Sequence, residues 1–147
     1  MAPEVYAWLT QFHGLFGVLG AALLLHPVIL LGRSTRPSRW TRLTTDLGAA
    51  LWLVPFLIGW QIYPSYRQHI KPHLWVEQHE VALRFESKEH LAFLATALAV
   101  AGALTLRAGY RDRELVRLAH ALLLTAWGCG VLTALLGMHV SSAAHVP

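Results

Sequence analysis

The chain has 147 residues, of which 55% are hydrophobic and only 14% carry a charged side chain. A soluble domain of this length rarely combines so few charges with such long apolar runs, so the composition predicts an integral membrane protein of a single domain. The net charge of +4 does not indicate a nucleic-acid partner, because the basic residues lie in short segments between the apolar runs, which is the pattern of membrane topology.

Cysteine usage excludes two kinds of covalent site. Cys129 is the only cysteine, so no intrachain disulfide can form, and there is no Cys-x-x-Cys-His motif for a covalently attached haem. The first four residues carry no basic side chain, and the apolar run that follows is too long for a signal peptide. We therefore expect this run to be retained as a membrane helix.

Four apolar spans follow one another along the chain, at about 6–31, 43–63, 88–107 and 115–140. Each is long enough to cross a hydrocarbon core of about 30 Å. The first two spans, and the last two, are joined by short polar segments, which predicts antiparallel neighbours. The expected fold is an all-α, up-down-up-down four-helix bundle in the membrane. The middle connection, 64–87, is predicted as a longer outer loop in which 76–85 suits an amphipathic helix.

The distribution of basic residues predicts the orientation in the membrane. Each short segment, with its flanks, carries four arginines, whereas the basic residues of the middle connection are offset by glutamates. The positive-inside rule then places the short segments in the cytoplasm and the two termini and the outer loop on the other side. The arginines concerned are Arg33, Arg36, Arg39 and Arg42 in the first segment and Arg107, Arg111, Arg113 and Arg117 in the second.

Two histidines lie inside the first span. His13 and His26 are separated by about 20 Å along a helix axis, so one lies towards each face of the membrane. An ionisable residue within a span indicates a functional site with a partner. Depths counted from the arginine segments match His26 with His120 near the inner face, and His13 with His90 near the outer face. His139 and His79 are alternatives to His90 at the outer level.

Helix geometry constrains these pairs further. His13 and His26 lie about 140° apart around the helix, so they face different partners. Glycines near His13 would let either a flat macrocycle or another helix approach the backbone closely. Pro27 indicates either an ordinary kink or a kink that directs His26 into the bundle. The small residues are Thr10, Gly14, Gly17 and Gly20 on the first span and Gly128, Gly130 and Gly137 on the fourth.

Four spans carrying His13, His26 and His120, together with His90 in the stretch Glu86-Ser87-Lys88-Glu89-His90, resemble the small membrane-bound diheme cytochromes b. The resemblance implies two haems b, each held by two axial imidazoles from facing helices. It also implies electron transfer between a quinone pool and a redox protein or other membrane subunits, and at most a role as a quinol-linked oxidoreductase subunit. The different faces of His13 and His26 depart from the family's usual pattern, so one haem stays an alternative to two.

Several polar residues are candidates to support such a site. A carboxylate near His90 could fix its tautomer, basic side chains could pair with haem propionates, and a quinone could bind at either end of the bundle. The tautomer candidates are Glu86 and Glu89, and the propionate candidates are Arg84, Arg67 and Lys71 outside or the arginines inside. The quinone candidates are Trp40, Asp46 and Arg111 inside or Glu80 and His79 outside.

Two other functions stay open. The outer loop could hold a metal ion, although Pro72 argues against a regular helix that would bring His69 and His73 together. The chain could instead be a small non-redox subunit of a larger membrane complex. No nucleophile triad, phosphate loop or zinc-protease motif is present in the sequence. The metal-ligand candidates are His69, His73, His79, Glu80 and Glu86.

Overall fold

The computed structural model describes residues 2–34 and 36–143, and within these ranges it contains five helices and no strand. The expected all-α fold is confirmed. All the helices except α3 have 31 residues and are long and apolar enough to cross a membrane. The helices are α1 (Pro3–Arg33), α2 (Arg39–His69), α3 (Lys71–Glu77), α4 (His79–Gly109) and α5 (Arg113–Ala143).

The ends of the helices follow ordinary capping chemistry. Ser38 precedes α2, and its hydroxyl accepts a hydrogen bond from the backbone N–H of Thr41 at 3.0 Å. Asp112 precedes α5 in the same way, since its carboxylate accepts from the N–H of Glu114 at 2.8 Å. The short polar segments predicted between the spans therefore form tight connections, which keep α1 beside α2 and α4 beside α5.

Residues 64–87 are helical except at Ile70 and Gln78, so the predicted outer loop is wrong, whereas the helix predicted at 76–85 is confirmed apart from Gln78. Pro72 lies in the first turn of α3, where a proline interrupts no hydrogen bond. Tyr66, Leu74 and Ala82 bury their side chains together as a second, smaller core. The aromatic residues of this stretch therefore pack against one another, and this packing stabilises regular helix in place of a loop.

The four long helices form a closed ring of neighbours. The most extensive contacts are those of α4 with α5 and of α1 with α2, and the ring is completed by α1 with α5 and α2 with α4. Consequently α1 lies diagonally opposite α4, and α2 lies opposite α5. We call the end of the bundle that carries α3 the α3 end. The other end, with the connections 34–38 and 110–112, is the short-loop end.

Trp52 of α2 fills the centre of this ring. A Cβ atom placed on Gly20 of α1 would lie 3.1 Å from the indole, and one placed on Gly130 of α5 would overlap it. In the opposite direction, Leu24 of α1 packs against Gly48 of α2, where an added Cβ atom would lie 3.1 Å from the leucine side chain. Glycines thus let an indole reach from α2 across the bundle, where it is 7% exposed.

The interface between α4 and α5 consists largely of small buried residues, which explains why these helices approach so closely. A Cβ atom on Gly102 would lie 2.7 Å from Cγ of Leu123 and 3.4 Å from the carbonyl oxygen of Ala119. The other small buried residues of the interface are Ala95, Ala99, Ala103, Ala119 and Ala126.

We expect Gly102→Leu to lower the free energy of unfolding by about 1–3 kcal/mol, because the added side chain overpacks the interface between α4 and α5. The measurement is denaturant-induced unfolding of the detergent-solubilised protein. Gly14→Leu is the matched control, since no atom lies within 4 Å of a Cβ at this exposed position. Equal unfolding midpoints for the two variants would contradict the close approach of the helices.

Candidate functional site

His13 is half-buried on α1 and faces α2. Its Nδ1 donates a hydrogen bond to the carbonyl oxygen of Pro55 at 2.7 Å, and its ring lies against Gly59, where a Cβ would be 3.2 Å from Cε1. A carbonyl oxygen can only accept, so the proton is on Nδ1 and the neutral ring keeps its lone pair on Nε2. The second nitrogen of His13 is therefore the one available to a metal.

His26 is exposed and also turns towards α2. Its Nδ1 lies 3.0 Å from the hydroxyl of Thr44, which itself lies 3.0 Å from the carbonyl oxygen of Trp40. The single proton of the hydroxyl is within reach of Nδ1 of His26 as well as of the carbonyl oxygens of Trp40 and Thr41, so either tautomer of His26 fits this contact. Pro27 is fully buried while His26 is exposed. The proline therefore points into the core, and the alternative in which the kink directs His26 inward is wrong.

The two residues predicted to pair with these histidines, His90 and His120, lie on α4 and α5. His90 is exposed on α4, and its Nδ1 donates to the carbonyl oxygen of Glu86 at 2.8 Å. His120 is half-buried on α5, with Nε2 3.3 Å from the position of a Cβ on Gly32. Within residues 2–34 and 36–143, no hydrogen bond joins His13 to His90 or His26 to His120.

We call the level of Trp52 along the bundle axis the tryptophan layer, and the histidines lie on both sides of it. Gly20, which contacts Trp52, is seven residues from His13 and six from His26, or about 10 Å and 9 Å along α1. Pro55, which accepts from His13, is followed by Phe56, whose ring centroid lies 6.1 Å from that of Phe93, three residues after His90. His120 lies level with Gly32, about 9 Å nearer the short-loop end than His26. The outer pair therefore shares a depth, whereas the inner pair is offset.

A second group of polar residues surrounds the outer level and was missed from the sequence. Lys88 is half-buried, with Cε 3.6 Å from the position of a Cβ on Gly137 and Nζ 5.1 Å from the ring centroid of Phe85. Phe85 in turn stacks on Tyr66, with centroids 3.8 Å apart, and the Tyr66 hydroxyl is buried without a hydrogen-bond partner. The signal that could have indicated this group is a lysine flanked by glutamates within an apolar helix.

The expected supporting roles at the α3 end are only partly met. Glu86 offers His90 its backbone carbonyl, whereas its carboxylate pairs with Lys71 at 2.8 Å. Arg84 contacts His139 and lies 3.4 Å from Glu80. These contacts link α3 and α5 to the first turns of α4. Arg67, which was also considered for a propionate, is exposed near the end of α2.

The candidates for an outer metal ion are not assembled. No group of three histidine, cysteine or carboxylate side chains within the described residues could hold a metal ion together. His69, His73 and His79 are exposed, and the ring of His79 lies against Trp75 with centroids 4.6 Å apart. The structure therefore gives the metal-handling alternative no preformed site.

The residues considered for a quinone site at the short-loop end each contact a different neighbour. Asp46 of α2 pairs with Arg107 of α4 at 2.8 Å, which ties the two helices together at the short-loop end. Arg111 lies over the ring of Tyr110, and Trp40 is 70% exposed. An apolar groove of about 270 Å³ also opens between α2 and α4, nearer the middle of the bundle. Its walls are Phe56, Phe93, Thr96, Ala97 and Val100.

The chain is thus an all-helical bundle whose four long helices can cross a membrane, with histidines on both sides of a tryptophan layer. No protein-family model, curated protein or solved structure matches it.

The ion pair between Lys71 and Glu86 makes the α3 end sensitive to pH. The hydrogen bond to Glu86 raises the pKa of Lys71. The stabilisation is therefore complete below the ordinary lysine pKa of about 10.4 and is lost as pH rises through the higher folded value. The pair is partly exposed, so its contribution is at most about 1 kcal/mol.

We expect Lys71→Met to speed amide hydrogen exchange in α3 by up to about fivefold at neutral pH. The difference from the unmodified chain should shrink as the lysine deprotonates above its raised pKa. Arg67→Met is the control, because Arg67 is exposed and has no carboxylate within 4.0 Å among the described residues. A difference that persists unchanged at high pH would show that the ion pair is not its cause.

Proposed function

We propose that the chain is a membrane electron-transfer protein that holds haem b through pairs of histidines and passes electrons between quinone and a redox partner. The observation that carries this proposal is the shared tautomer of His13 and His90. Each of these two rings donates from Nδ1 to a backbone carbonyl oxygen, which leaves Nε2 as the nitrogen able to bind a metal. Such an outer hydrogen bond orients metal-bound imidazoles and raises their basicity.

The depth of the histidines supports one haem level for the outer pair, whereas the two inner histidines are offset by about 9 Å along the axis. His13 and the turn of α4 that carries Lys88 and His90 lie on the α3 side of Trp52, while His26 and His120 lie on the short-loop side. Trp52 fills the centre between the levels, so a macrocycle at either level would lie beside the tryptophan layer. The aromatic ring between two such sites would keep water out of the space that separates them.

The exposure of individual ligands indicates where each haem would lie. His26 and His90 are exposed, whereas His13 and His120 are half-buried. Each proposed pair therefore combines one ligand inside the bundle with one at its margin, so the haem would occupy the side of the bundle facing the lipid. Gly59 beside His13 and Gly32 beside His120 let the edge of each imidazole lie close to the backbone of a neighbouring helix.

The protein's own residues would hold and tune the cofactor. Bound haem b supplies one-electron chemistry, and its potential depends on the axial ligands, hydrogen bonds and burial. The carbonyl oxygens of Pro55 and Glu86 keep the Nδ1 protons of the outer ligands in place. Lys88 at the outer level and the arginines at the short-loop end are cations suited to propionates.

The groove between α2 and α4 suits the quinone of this proposal. A quinone tail is apolar, and the groove is walled by two phenylalanines and small or branched side chains. Its position between the two histidine levels would hold the tail beside the bundle. The head group would then lie at one end, where Asp46 and Arg107 or Glu80 and Arg84 supply polar contacts.

A non-redox subunit is the second candidate, and the exposed tryptophans favour it. Trp8, Trp40 and Trp60 are at least 59% exposed on the surface of the bundle. Large aromatic residues on a helical surface suit packing against other membrane subunits as well as lipid. Protein that is purified after expression with ample haem and contains no haem would favour this function over electron transfer.

The test is the dithionite-reduced minus oxidised spectrum of the purified protein, with haem quantified per chain. We expect a b-type α-band and about two haems per chain. His26→Ala and His120→Ala should each remove the same haem, so the double variant keeps as much haem as either single one. His13→Ala and His90→Ala should behave in the same way for the other haem.

His69→Ala and His73→Ala are the matched controls, since both residues are exposed near α3 and neither is a proposed ligand. Their haem content should equal that of the unmodified chain. Circular dichroism establishes that each variant keeps its helices. Full haem content in both members of a pair would show that the pair is not the ligand set.

A further inference from the structure

A cavity of about 330 Å³ lies at the short-loop end, where the two tight connections meet. Its lining combines three arginines, one tyrosine and one proline, and we call it the short-loop cavity. It is partly open to the surface, and its size falls at the lower end of the range of about 300–1,000 Å³ found for ligand sites. The lining residues are Arg36, Pro37, Tyr110, Arg111 and Arg113.

The positive charge of this cavity is not neutralised by neighbouring carboxylates. Asp112 directs its carboxylate to the backbone N–H groups of Glu114 and Leu115, at 2.8 and 3.4 Å. Glu114 pairs with Arg117 at 2.8 Å. Within the described ranges no carboxylate lies within 4.0 Å of the lining arginines. Three arginines therefore line a cavity in which, among the described residues, none of the three forms an ion pair.

Tyr110 forms a fixed wall of the cavity and is flanked by further positive charge. The guanidinium carbon of Arg42 lies 4.2 Å from the centroid of the tyrosine ring, and that of Arg111 lies 5.4 Å from it. The Nε atom of Arg42 is buried and has no hydrogen-bond partner. Arg42 does not line the cavity itself, but its guanidinium, stacked on Tyr110, adds a further positive charge next to it.

We propose that the short-loop cavity binds a phosphate group, presented by the headgroup of an anionic phospholipid. Guanidinium groups bind phosphate oxygens in paired hydrogen bonds, and three of them from two connections can surround one phosphate. The cavity lies at the ends of helices that can cross a membrane, which is the level of the lipid headgroups. A bound headgroup would bridge α1–α2 to α4–α5. This inference does not depend on haem binding.

The experiment measures binding of phosphatidylglycerol to the full chain in neutral detergent by native mass spectrometry. Arg111→Gln/Arg113→Gln should bind the lipid about tenfold more weakly, because two charge-assisted contacts are lost. Arg33→Gln/Arg39→Gln is the matched control, since these exposed arginines lie at the same end outside the cavity. It removes the same charge and should change binding less than about twofold. Circular dichroism verifies the fold of both variants.

Inorganic phosphate, titrated by calorimetry into the lipid-free protein, distinguishes the source of the group. Lipid binding that depends on the cavity arginines, with or without phosphate binding, supports the headgroup as the ligand. Phosphate binding that depends on them, without lipid binding, keeps the phosphate site but overturns the lipid source. Equal weakening in the two double variants would mean diffuse attraction between charges and would overturn the site, as would binding of neither probe.

Discussion

The bundle depends on the space that two glycines leave for one indole. Trp52 extends from α2 towards α5 because Gly20 and Gly130 carry no Cβ atom in its path. Gly48 receives Leu24 in the same way, so α1 and α2 lock together by reciprocal contacts. In lipid the hydrophobic effect does not drive helices together, so close packing of this kind supplies much of the attraction between them. The ring of four helices is therefore organised around a filled centre.

A filled centre divides the bundle into two polar levels. On the α3 side, His13 is fixed by the carbonyl oxygen of Pro55, with the ammonium of Lys88 as an electrostatic neighbour. On the other side, His26 is fixed by Thr44, and His120 lies against Gly32. The levels differ in burial and in nearby charge, and these properties determine how strongly an imidazole binds a metal and at what potential.

The two ends of the bundle also differ in how their charges are balanced. At the α3 end, Lys71 pairs with Glu86 and ties α3 to α4, while Arg84 pairs with Glu80 within α4. At the short-loop end, Arg36, Arg111 and Arg113 line a cavity, and among the described residues none of the three has a carboxylate within 4.0 Å. Charges that are paired stabilise local structure, whereas a group of like charges repels itself unless an anion enters. The ion pair between Lys71 and Glu86 holds α3 against α4, whereas the arginines at the short-loop end line the cavity that we propose binds phosphate.

The long apolar runs of the sequence were sufficient to determine the number of long helices, because a segment in lipid must satisfy its own backbone hydrogen bonds. The short polar segments between the runs determined their antiparallel order. Depth along each helix was only partly readable from the constant rise per residue. It placed His13 level with the region of His90, but the expected common height of His26 and His120 is wrong, because their levels differ by about 9 Å. Rotation and tilt were not readable. They depend on which small residues meet which large ones, so only the tertiary structure turned His26 outward, placed Trp52 at the centre and made 64–87 helical.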